Sequence, residues 1–104
     1  MSLTVTTHNN SYEFSGPYPA VEMLNAESGV YLVSTKNPDG KHQVLDVGES
    51  GNVNSRVATH DRREQWKAKV RDGLFVSAHY CDEATRMALE KELRDFLNPP
   101  CGDR

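Results

Sequence analysis

Apolar positions along the chain fall into three short runs and one helical stripe. Residues 29–35 (GVYLVST) crowd Val30, Tyr31, Leu32 and Val33 between turn signals and predict a strand. The run over residues 43–48 predicts its antiparallel partner. Between them Asn37-Pro38-Asp39-Gly40 is a turn, because Pro38 presets φ and Gly40 accepts φ > 0. Residues 74–80 (LFVSAHY) alternate and predict a third strand.

Polar segments punctuate these runs. Ser50, Asn52 and Asn54 offer N-caps for a helix over about residues 52–60. A second helix starts near Asp61 and carries Trp66, Ala68 and Val70, with Asp72-Gly73 ending it and Gly73 as a left-handed cap. Asp82 caps a last helix over residues 82–97, with Glu83 in the first turn, where the helix dipole favours a negative charge. Its apolar stripe is Leu89, Leu93, Phe96 and Leu97, and Asn98-Pro99-Pro100 stops it. Upstream, residues 1–15 are rich in Thr, Asn and Ser and read as a flexible tail or an edge strand. Residues 16–19 (GPYP) read as a loop, and residues 20–25 as one helical turn. The expectation is a single α+β domain over residues 1–104, a small three-stranded antiparallel sheet flanked by helices in the order β-β-α-α-β-α.

Composition narrows the classes. A chain of 104 residues buries a modest core. It has no apolar run long enough to span a bilayer, so no membrane partner is expected. The first residues lack the basic start and apolar stretch of a secretory signal. Cys81 and Cys101 are far apart and in no metal-binding spacing, which points to free thiols and a cytoplasmic setting. A net charge of −3 argues against a general nucleic-acid coat protein. Charge is nevertheless uneven. Residues 56–71 hold Arg56, Arg62, Arg63, Lys67, Lys69 and Arg71 against Asp61 and Glu64. Arg62, Arg63 and Lys67 are therefore candidate nucleic-acid contacts, although such a run also suits a solvated helix face.

Tyr31, Arg56, His60 and Glu90 are the residue types that phosphodiester cleavage needs. An arginine forks onto phosphate oxygens, a histidine or activated tyrosine takes a proton, and a carboxylate holds a divalent ion. Arg56 and His60 stand four apart and are expected on one helix face. Glu90 falls beside Leu93 and Leu97, at the boundary of the apolar stripe.

Gly29-Val30-Tyr31, then Val47-Gly48, Arg56 eight residues on, His60 one turn later, and Glu90 within Leu89-Glu90-Lys91-Glu92-Leu93 resemble the GIY-YIG nuclease superfamily in order and spacing. The resemblance covers residues 29 to about 100. It implies an endonuclease that cuts DNA or structured nucleic acid with one Mg²⁺ or Mn²⁺ ion. It implies that Tyr31 orients or deprotonates the attacking water, that His60 accepts the proton, that Arg56 steadies the phosphate and that Glu90 holds the metal. Two positions depart from the family pattern. Asp46 stands where the second motif has tyrosine, as a metal ligand or a source of repulsion for phosphate, and Cys101 follows Pro100 where an asparagine is common.

Other readings stay open for the same residues. Tyr31 alone suits a core position, and Glu90 also suits an ion pair with Arg86 or Arg94 at helical spacing. Asp46 and the acidic total charge also suit a catalytically disabled module of this fold that binds nucleic acid or a protein. The chain has no room for an added recognition domain, so a protein partner supplying specificity is a further expectation.

Overall fold

The structure, a computed structural model, describes residues 2–8 and 10–101. Five strands form one antiparallel sheet: β1 (Ser2–Thr6), β2 (Ser11–Tyr18), β3 (Gly29–Lys36), β4 (His42–Ser50) and β5 (Asp72–Tyr80), in the spatial order β1-β2-β5-β3-β4. Helices α1 (Val53–Ala58) and α2 (Arg63–Lys69) sit between β4 and β5, α3 (Glu83–Leu97) follows β5, and a 3₁₀ turn spans Val21–Met23.

The expected order β-β-α-α-β-α holds from β3 onward, but the sheet has five strands rather than three. Most of the Thr- and Ser-rich start, expected as a tail or an edge strand, forms a hairpin whose first strand, β1, is an edge strand of the sheet. Leu3 pairs with Phe14 and Val5 with Tyr12, and Phe14 and Val5 are buried in the core. The stretch expected as a loop at residues 16–19 instead lies largely within β2. A register shift between Ser15 and Tyr18 lets Gly16 and Pro17 sit inside the strand against β5.

β3 is the central strand of the chemically interesting half, and its alternation feeds two cores. Val30 and Leu32 pack with Val47, Phe14, Leu89 and Leu93 beneath α3. Tyr31 and Val33 face the other side, with Leu45, Val53, Val57 and Trp66 beneath α1 and α2. A strand buried on both faces is apolar at every position, which explains the unbroken run VYLV.

Three local expectations change. Asp72 and Gly73 open β5 rather than end α2, which stops at Lys69; Gly73 uses its φ of +79° to enter the strand. His60 lies past the end of α1, so it and Arg56 do not share a helix face. Phe96 is exposed and meets the ring of His8 edge-on, at 5.1 Å between centroids. The α3 boundaries hold: the Asp82 carboxylate accepts from Thr85 N, and Asn98 closes the helix in the left-handed region with φ 46°.

β4 lies at one edge of the sheet, and three of its backbone groups, at Leu45 and Val47, have partners outside the ladder. Cys101 N donates to Leu45 O at 2.9 Å, Val47 N to the Asp46 carboxylate at 2.9 Å, and Arg94 Nη2 to Val47 O. No helix among the described residues is long and apolar enough to cross a membrane. Both cysteines are free, and burial pushes each thiol pKa up, which disfavours the thiolate form.

Candidate functional site

Tyr31 sits opposite Gly48 in the β3–β4 ladder, and its side chain crosses the glycine. A Cβ at position 48 would fall on the ring's Cζ and hydroxyl, so only glycine leaves space for the phenol. The ring is almost wholly buried. Burial raises the Tyr31 pKa to about 12, against the opposing pull of the Arg56 guanidinium beside it.

Arg56 and His60 reach Tyr31 from the other side. Asn52 caps α1 by accepting from Ser55 N, and Asn54 Nδ2 ties the helix to Leu24 O at 2.8 Å. Arg56, with its side chain 41% exposed, approaches Asp61 at 3.5 Å. His60 is packed edge-on against Tyr31 at 5.8 Å and tilted on Trp66 at 4.7 Å. Burial, then the Arg56 and Arg62 charges, pull its pKa down to about 4, so the ring is neutral at pH 7. Its Nδ1 lies 3.0 Å from the Arg62 N–H and 3.1 Å from Asp61 Oδ1, while its buried Nε2 has no partner.

Two tautomers compete for these contacts. When Nδ1 accepts from Arg62 N–H, Nε2 carries the proton. When Nδ1 donates to Asp61, Nε2 is left with a free lone pair, the form a proton acceptor requires.

Asp46 is the electrostatic centre of the region. Its carboxylate, wholly buried, accepts from Arg62 Nε at 2.8 Å, Trp66 Nε1 at 2.7 Å and Arg94 Nη2 at 2.6 Å. Burial alone would raise its pKa. The hydrogen bonds from Arg62, Trp66 and Arg94 outweigh that penalty and hold it below the usual carboxylate value. Asp46 is thus a saturated ion-pair partner, with its oxygens turned to arginines and an indole.

Arg94 carries the network across the sheet edge. It bonds Cys101 O at 3.2 Å through Nη1 and Glu90 Oε2 at 3.1 Å through Nε. Glu90 has a side chain 25% exposed and stands at the core boundary, as its place on the stripe implies. Of its two candidate partners Arg94 takes it, while Arg86 pairs with Glu49 at 2.7 Å. Tyr31, Arg56 and His60 therefore meet directly. Glu90 joins them indirectly, through Arg94 and Asp46 and then through Arg62 and Trp66, which touch His60.

Of the candidate phosphate contacts, Arg62 turns inward to Asp46, Arg63 donates to Ala58 O at 2.7 Å, and Lys67 pairs with Glu64 at 3.6 Å. Residues the sequence reading missed are Arg94 as a hub and Asp61 beside both Arg56 and His60. The Glu90–Arg94 spacing was the legible sign of the first; nothing in the local sequence marks the second.

Among the described residues no group of three His, Cys, Asp or Glu side chains is placed to cage an ion. Mg²⁺ is commonly held otherwise, through one or two carboxylates, retained waters and substrate phosphates. The half-buried Glu90 carboxylate fits that open mode, with one oxygen on Arg94. Compared with protein-family models, curated proteins and solved structures, the chain matches none of them.

Proposed function

We propose that this chain is a GIY-YIG-type endonuclease domain that hydrolyses phosphodiester bonds in DNA or a structured nucleic acid. The observation that carries the reading is the meeting of Tyr31, Arg56 and His60 on one face of the sheet. Arg56, the most exposed of the three, grips the phosphate oxygens. With its pKa near 12, Tyr31 keeps its proton at neutral pH and acts as a donor that orients water or phosphate. In its Asp61-bonded tautomer, His60 takes the proton of the attacking water at Nε2. Glu90 holds Mg²⁺ or Mn²⁺, which would neutralise phosphate charge and stabilise the leaving oxygen.

Two free thiols support a reducing compartment, and we place the reaction in the cytoplasm. Specificity is supplied by nucleic-acid structure or by a protein partner. Cleavage of supercoiled plasmid, branched DNA, single strands and structured RNA with Mg²⁺ or Mn²⁺ tests the reading. Cutting that disappears in Glu90→Ala supports it; equal cutting by both proteins rejects the site.

A specific observation favours a second reading. Asp46 is saturated by Arg62, Trp66 and Arg94, and Glu90 is engaged by Arg94. If those ion pairs persist with substrate bound, the domain binds nucleic acid or a protein without cutting. Salt-dependent binding with no cleavage by either protein would select this reading.

A further inference from the structure

We propose that a second cleft, built on β4 next to the strand that carries Tyr31, holds a flanking nucleotide of the bound nucleic acid; this rests on the nucleic-acid reading above. The cleft, about 380 Å³, opens between β4, the end of α2 and Pro100. Leu45, Ala68, Val70 and Pro100 supply its apolar surface, and Gln43, Lys69 and Arg71 its polar groups.

Charge selects the occupant. Lys69 and Arg71 are exposed, and among the described residues neither enters an ion pair. Among the described residues no carboxylate lines the cleft. The nearby charge of Asp46 is already balanced by Arg62 and Arg94. By contrast, the cleft lined by Thr7, His8, Glu92, Asp95 and Phe96 carries two carboxylates and would repel a polyanion. An apolar wall, an amide and two cations with no ion-pair partner among the described residues suit a base with its phosphate: the base covers Val70 and Pro100, Gln43 meets a base edge, and the cations meet phosphate oxygens.

Position makes the two sites one track. Gln43 and Leu45 precede Gly48 on β4, so the cleft lies ~10–17 Å along the strand from the phenol of Tyr31. That is about three to five base steps of a nucleic-acid strand. The cations that contact substrate are then Lys69 and Arg71, which follow the more committed Arg62, Arg63 and Lys67 in sequence.

The test is fluorescence anisotropy of a labelled 20-base-pair duplex without metal, over a salt series, comparing wild type with Lys69→Ala/Arg71→Ala. Both side chains are exposed, and circular dichroism checks that the variant folds. The expected result is affinity lower by roughly tenfold at 0.1 M salt, with the salt slope reduced by about 2. Hydrolysis of bis-p-nitrophenyl phosphate, which lacks flanking nucleotides, should be unchanged in the same variant. Unchanged duplex affinity and slope would overturn the subsite while leaving the nuclease reading intact. Failure of wild type to bind the duplex even at low salt would overturn both.

Discussion

The Tyr31 ring occupies the space that any side chain at Gly48 would need. Gly48→Ala must displace the phenol or push β4 away from β3. It should destabilise the fold by about 1–3 kcal/mol, as overpacking of a core does, and disturb the Tyr31–His60 contact. Urea denaturation measures the first effect and the NMR shifts of His60 the second. Unchanged values for both would mean that the ring has another resting place.

Removing only the Tyr31 hydroxyl separates support from chemistry. Tyr31→Phe keeps the ring over Gly48, so stability should change by less than about 1 kcal/mol. Nuclease activity should fall at least ~100-fold, the usual scale for one lost hydrogen-bond donor to the reacting group. Wild-type phenol absorbance should show a tyrosine component, absent from the variant, that resists ionisation until the pH approaches 12.

Asp46 gives a structural prediction that does not depend on activity. Asp46→Ala leaves Arg62 and Arg94 without their shared counter-charge and should cost about 3–5 kcal/mol. The folded-state pKa of Asp46 is depressed, so its contribution is fully present above the unfolded value near ~3.9. It is lost as pH falls through the lower folded value. Wild type should therefore lose stability steeply below pH ~4, and the variant less steeply, in acid-unfolding curves followed by circular dichroism.

His60 governs a higher window. Its pKa drops from an unfolded ~6.5 to about 4, so the unfolded chain binds the extra proton between those values. The contribution is intact above pH ~6.5 and disappears by about pH 4, a span worth roughly 3 kcal/mol. His60→Gln should flatten the stability profile between pH 4 and 6.5. A wild-type profile already flat in that range would show that the ring is hydrated rather than buried.

The half of the fold that carries the candidate site was legible in sequence, because its signals are local. The VYLV run, the Asn-Pro-Asp-Gly turn, the Asp82 cap and the proline stop each act over a few residues. The N-terminal hairpin was hidden because it is held by partners far away: Glu92 on α3 accepts from the hydroxyls of Thr7 at 2.5 Å and Tyr12 at 2.9 Å. Asp46 was hidden for the same reason. Its three side-chain donors come from positions 62, 66 and 94, and no spacing rule joins a strand carboxylate to two helices on opposite faces of the sheet. Glu90 could be placed because helical geometry alone sets it at the core boundary beside Arg94.

Cys101, Asp46 and Arg94 cover the outer rim of β4, and this gives the molecule a direction for self-assembly. A strand from a second copy would find Leu45 O and both backbone groups of Val47 already taken. Protonating Asp46 would loosen the cover on Val47, and cutting away the segment after Pro99 would free Leu45 O. Acid stress or C-terminal nicking should then seed ordered aggregates that grow from β4.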